Sequence, residues 1–140
     1  MGFKEKIATA FLSNPGMVEK DIISPTIIKF IKNVPKKQRM EVMVAFVGLL
    51  EGANYSVSID ILFNKESCVS FSKGGEVVEF IASNPSFEES NVALVFETKI
   101  EEVLIKNHGI HEINVTLFNN DGIVIDSNSY FFVVIDRVRT

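Results

Sequence analysis

Apolar and polar residues alternate along most of the chain after residue 40. In YSVSIDILF, Tyr55, Val57, Ile59, Ile61 and Phe63 fall on one side and Ser56, Ser58 and Asp60 on the other. Successive side chains of a strand point to opposite faces, so this spacing predicts a half-buried strand. HEINVTLF repeats the pattern, with Ile113, Val115 and Leu117 against Glu112, Asn114 and Thr116. NVALVFETKI puts Val92, Leu94, Phe96 and Ile100 on one face, with Thr98 among them. RMEVMVAFV and YFFVVI are apolar on both sides, which predicts strands that are central in their sheet or covered on both faces. CVSF and EVVEFI are expected to be shorter strands.

Turn chemistry separates these runs. EGAN (51–54), FNKES (63–67), KGGE (73–76), SNPSFEESN (83–91) and NNDG (119–122) supply Gly, Asn, Asp or Pro where the chain must reverse. NNDG between two apolar runs is the clearest hairpin signal. Several short strands with regular turns imply an all-β sandwich or barrel. The start is ambiguous. Phe3, Ile7 and Phe11 lie four apart, as on a helix, while Ile7, Thr9 and Phe11 alternate, as on a strand. The balance leans to a short helix or irregular segment, and SPTIIKFI then reads as a strand because Thr26, Ile27 and Ile28 are β-branched.

At 140 residues, 46% apolar and 23% charged, the chain is expected to be one globular domain with a core that needs no disulfide. Twelve Phe, two Tyr and no Trp point to aromatic core filler more than to a stacking surface. The one cysteine, Cys68, has no intramolecular partner and fits a reducing compartment, so the cytoplasm is the expected location and the sequons at Asn54 and Asn114 carry no weight. No apolar run is long enough to span a bilayer, and no membrane association is expected.

Both histidines, His108 and His111, lie in KNHGIHEI. Three residues apart on a strand they face opposite ways. A zinc site needs three or four ligands, and no third histidine exists, so no metal is expected. His108 is expected to be an exposed turn residue whose removal is nearly silent, and His111 a partly buried strand residue bonded to backbone. NHGIHEI resembles the approach to strand F of immunoglobulin-like sandwiches, where an acidic residue, a small residue, Tyr and Cys recur at alternate positions. Asn107, Gly109, His111 and Ile113 stand at those positions, although the chain has neither the strand-C Trp nor a cysteine pair. The resemblance implies an all-β, Ig-like antiparallel β-sandwich over residues 26–140, preceded by a short N-terminal extension over residues 1–25. The layout also resembles that of small bacterial or phage-encoded proteins.

Sequence motifs for catalysis are missing. There is no GxGxxG, GxxxxGK[ST] or GxSxG; SKGGEV reads as a turn; and the adjacent pairs Glu88–Glu89 and Glu101–Glu102 point apart if they lie in strands. NNDGIVID lacks the length and the terminal glutamate of a calcium loop. No catalytic residue, cofactor or metal is expected, and the chain is read as a non-enzyme. Charge is uneven: residues 1–40 carry eight basic and three acidic side chains, residues 41–140 six and fifteen. Lys29, Lys32, Lys36, Lys37 and Arg39 form a strip without acids, interleaved only by Phe30. Nucleic acid is not the expected partner, because aromatic interleaving is weak and the remainder is acidic. These five residues are instead candidates to bind a partner or an anionic ligand, or to guard a strand edge. The expectation is a non-catalytic protein-interaction module, cytoplasmic, of bacterial or phage origin, with a protein partner or as a homodimer. The alternative is a small-ligand or nucleotide-binding protein with its site at loops or a dimer interface.

Overall fold

The computed structural model describes residues 5–13, 26–69, 76–83 and 91–136. Every regular element among them is a strand: β1 (Lys6–Ser13), β2 (Ile28–Phe30), β3 (Lys36–Leu50), β4 (Asn54–Phe63), β5 (Glu66–Ser67), β6 (Glu76–Ile81), β7 (Asn91–Ile105), β8 (Gly109–Asn119) and β9 (Val124–Ile135). One sheet runs β1-β3-β7, and the other runs β2-β9-β8-β4-β5, with β6 also paired to β4. All pairs are antiparallel except β2 with β9. Placing β1, β3 and β7 against β9, β8 and β4 gives the A-B-E and G-F-C grouping of an Ig-like sandwich.

The alternating runs fold as their spacing requires. Val57, Ile59 and Ile61 of β4 and Ile113, Val115 and Leu117 of β8 are buried between the sheets, and register sets Val57 beside Leu117, Ile59 beside Val115 and Ile61 beside Ile113. Val42, Val44, Phe46, Ile100 and Val103 meet them from the opposite sheet. Burying these side chains supplies about 1.5–3 kcal/mol each relative to leaving them in water. On β7, Leu94 is half-buried and Ile100 buried, while the side chains of Val92 and Phe96 lie outside the described set.

Several expectations need correction. Residues 6–13 are strand, not helix, so this part of the expected 1–25 extension belongs to the three-stranded sheet; residues 14–25 lie outside the described set. A register shift between Ile7 and Thr9 changes the phase, and Ile7, Ala10 and Leu12 face the core instead of Ile7, Thr9 and Phe11. In CVSF only Val69 forms an isolated bridge, to Val103, and the short strand lies just before it at Glu66–Ser67; Ser70 and Phe71 are outside the described set. Lys36, Lys37 and Arg39, at and just before the start of RMEVMVAFV, belong to β3, which is the middle strand of its sheet and not an edge. β3 is covered on both faces as expected, with Glu41, Val42, Met43 and Val44 all buried. β9 is central in its sheet, between β2 and β8, as the run also allows, but it is not covered on both faces: Phe132 and Val134 are buried, and Phe131 is 60% exposed.

The two sheets are joined at both sides. Thr26 N donates to Leu12 O at 3.0 Å, linking the run before β2 to β1, and Leu104 N donates to Cys68 O at 2.8 Å, linking the run after β5 to β7. The β8–β9 turn forms where NNDG predicts it. Asn119 Oδ1 accepts from the N–H groups of Asp121 and Ile123, and Gly122 has φ 77°. KGGE and SNPSFEESN lie largely outside the described residues.

Candidate interaction surface

The histidine stretch is a structural joint. Gly109 opens β8 with φ 127°, a conformation that L side chains avoid, and a Cβ there would lie 3.4 Å from the Phe63 ring. Two residues on, His111 is 1% exposed and sits between Phe63 and Phe132, with ring centroids 4.7 Å and 5.4 Å away. The Gly109 carbonyl accepts from His111 Nδ1 at 3.0 Å. Nδ1 therefore carries the proton of the neutral ring, and Nε2 has no hydrogen-bond partner among the described residues. Burial holds this imidazole below its ordinary pKa, partly countered by the Gly109 bond. His108 is exposed, but its Nε2 lies 2.8 Å from the Ile31 carbonyl oxygen. No group of three or more His, Cys, Asp and Glu side chains that could hold a metal occurs among the described residues.

Other reactive side chains are engaged structurally. Burial pushes the Cys68 thiol up, away from thiolate, and the charge of Asp60 adds to this. Burial also raises the carboxyl of Asp60, which accepts from Ser67 Oγ at 2.6 Å. Tyr55 is pushed up to about 12 by burial and by its hydrogen bond to Glu5, while its oxygen accepts from Leu50 N at 2.9 Å.

The basic strip runs along β2, the connection after it and the start of β3. Lys37 pairs with Glu102 at 3.1 Å and Arg39 with Glu41 at 3.7 Å, so two of its five charges are neutralised within the sheet. Lys29 lies half-buried on β2, Lys32 is exposed just after it, and Lys36 is exposed at the start of β3.

The feature that hydropathy spacing missed is an apolar field on the outer face of the six-stranded sheet. Register places Ile28 beside Val133 and Phe30 beside Ile135, and Ile110 pairs with Val133 across β8. Phe131 pairs with Glu112, which in turn pairs with Leu62. All of these project away from the core face, which takes Phe132, Val134, His111 and Ile113. Ile28, Phe30, Ile110 and Phe131 are 46%, 49%, 65% and 60% exposed, and Val133, Ile135 and Leu62 are half-buried among them. Glu112 marks the field's boundary. It accepts from Lys65 Nζ at 3.3 Å and Ser129 Oγ at 2.5 Å, and the Ser129 bond foremost lowers its pKa. Beyond it the same face turns polar, with Asn114 bonded to Ser129 and Thr116 to Ser127. The signal in sequence was the two-sided YFFVVI run, which fits a central strand as well as a covered one. Coverage is a property of neighbouring elements, which alternation cannot report.

A second concavity of about 430 Å³ lies at the opposite end, lined by Asn54, Ser56, Glu79, Ile81, Asn119 and Asn120. No helix among the described residues is long and apolar enough to cross a membrane. No protein family matches this chain, and no curated protein matches it. A crystal structure of chicken MD-1 complexed with lipid IVa aligns with 92% of this chain and 86% of its own, at 13% identity and a TM-score of 0.36. The lipid is a property of that protein; the fold described above stands on this chain's own strand order.

Proposed function

We propose that the chain is a non-catalytic protein-interaction module that acts in the cytoplasm and docks its partner on the outer face formed by β2, β9 and β8. The observation that carries this is the contiguous field of Ile28, Phe30, Ile110 and Phe131, which spans three hydrogen-bonded strands and ends at a charged and hydroxyl-bearing boundary. An apolar patch with a polar rim is what a desolvated contact requires, since burial of the centre supplies the free energy and the rim sets orientation. The experiment is affinity capture followed by native mass spectrometry, with wild type beside Phe131→Glu and Ile110→Glu. Loss of the captured complex in both variants, with circular dichroism and melting unchanged, supports the reading; retention in both sinks it. If the captured partner is a second copy, light scattering reports it as a dimer.

A second reading, a small-ligand site, is favoured by the concavity beside Asn54, Asn119 and Asn120, whose amides and Glu79 offer donors and acceptors to a polar molecule. Native mass spectra of the same captured samples distinguish it. A small bound mass lost in Asn54→Ala and kept in Phe131→Glu assigns the ligand to this end.

A further inference from the structure

Among the described residues β2 forms one edge of the six-stranded sheet, and its hydrogen bonding is one-sided. Ile27 O accepts from Val133 N at 2.8 Å, and Ile31 N donates to Ile135 O at 2.9 Å. The parallel register pairs Ile28 with Val133 and Phe30 with Ile135. Alternate residues 27, 29 and 31 therefore serve β9, and those between them turn their N–H and C=O groups the other way. The peptide groups of Ile28 and Phe30 thus face the open edge. Among the described residues β1 meets this edge at Thr26, through its bridge to Leu12.

The side chains at this edge are patterned. Ile28 and Phe30 project outward and continue the apolar field to the rim of the sheet, while Lys29 projects to the other face. Lys32 and Lys36 follow at three and seven residues beyond Lys29 in the sequence, both exposed. An unpaired strand edge is a template for another strand. A second copy of this chain is a poor occupant. The two-fold antiparallel register centred on β2 pairs Ile28 with Phe30 and sets Lys29 directly against its counterpart, and like charges in that position are destabilising.

Resting on the reading of this face as a docking surface, we propose that the open edge of β2 receives an extended segment of the partner protein as an added strand, with apolar residues beside Ile28 and Phe30 and an acidic residue opposite Lys29. Main-chain bonds to Ile28 and Phe30 hold the strand, its apolar side chains enlarge the buried field, and the acid selects it over other extended segments.

The test uses the intact isotopically labelled chain and a synthetic seven-residue peptide alternating valine with aspartate. Its controls are the same peptide with lysine for aspartate, and the aspartate peptide N-methylated on its edge-facing nitrogens. The expected result is that the aspartate peptide shifts the Ile28 and Phe30 amide resonances and slows their hydrogen exchange. The lysine peptide binds about tenfold more weakly, and the N-methylated peptide does not protect these amides. Lys29→Glu reverses the preference between the peptides. Lys29→Ala, which adds no charge to the half-buried site, erases it. Failure of the aspartate peptide to bind, equal binding by the N-methylated peptide, or a preference unchanged in both Lys29 variants overturns the proposal. The Phe131→Glu and Ile110→Glu captures report on the outer face separately, so a failed edge beside a successful capture removes the added strand and keeps the docking surface.

Discussion

The ring of His108 crosses from the β7–β8 turn to the segment after β2, where its Nε2 lies 2.8 Å from the carbonyl oxygen of Ile31. The carbonyl accepts, so Nε2 carries the proton. The same Ile31 residue donates its N–H to Ile135 O, and its side chain is buried in the core. An exposed turn histidine thus fastens the start of the β2–β3 connection. His108→Ala is expected to cost about 1 kcal/mol, the net value of one such bond, in place of the silent outcome that sequence alone suggests. Urea denaturation of the purified variant measures it.

Gly109 and Gly122 both have positive φ, at 127° and 77°, but only Gly109 has a neighbour where a Cβ would stand, the Phe63 ring at 3.4 Å. Gly122→Ala is expected to cost about 1 kcal/mol, from backbone strain alone. Gly109→Ala, at a φ farther from the left-handed region that L residues visit, also sets its Cβ in van der Waals contact with the Phe63 ring, which tilts against His111, and is expected to lose about 1–3 kcal/mol. Equal losses in the two variants contradict this ordering.

Burial holds the imidazole of His111 below its ordinary value of 6.5, so the folded ring stays neutral at a pH where the unfolded ring takes up a proton. More protons are then bound by the unfolded chain as pH falls through about 6.5, and linkage lowers stability in that direction. This contribution is flat above that range and is lost on acidification toward the folded pKa. Urea midpoints at pH 8 and pH 5.5 are expected to differ more for wild type than for His111→Phe, whose ring does not titrate. An identical difference in the two proteins removes His111 as the source.

The two faces of β8 and β9 are expected to respond oppositely to truncation. Ile113→Ala opens a cavity in the core and is expected to cost about 2–5 kcal/mol. Phe131→Ala, on the exposed field, is expected to change stability by no more than about 0.5 kcal/mol. Thermal melts of both variants provide the comparison, and a large loss at Phe131 contradicts its placement on an open surface.

No salt-sensitive binding to mixed-sequence DNA or RNA is expected at physiological ionic strength, because Lys37 and Arg39 pair with Glu102 and Glu41 and residues 41–140 carry fifteen acidic side chains against six basic ones. Fluorescence anisotropy across a salt series checks this. Tight binding that weakens steeply with salt and is abolished by changing Lys36, Lys37 and Arg39 to Glu reverses the expectation.

Local sequence determined the strands and most of their faces, since which side of a strand is apolar depends only on a two-residue period. Val57, Ile59 and Ile61, and Ile113, Val115 and Leu117, sit in the core because their alternation permits no other solution with a buried face. The Asn119–Gly122 turn was legible for the same reason: its Asn oxygen and its positive-φ glycine act within the turn itself. Tertiary structure decided everything that depends on a distant neighbour. The bulge in β1 shifts Ala10 and Leu12 inward only because pairing with β3 fixes their register. β3 and β9 carry similar apolar runs, yet β3 is buried on both faces while β9 leaves Phe131 open, since coverage comes from other elements. Likewise, no pattern within residues 26–31 reveals that Ile28 and Phe30 turn their peptide groups away from β9, to an edge that is unpaired among the described residues; that follows from the parallel ladder to β9, a partner about a hundred residues away.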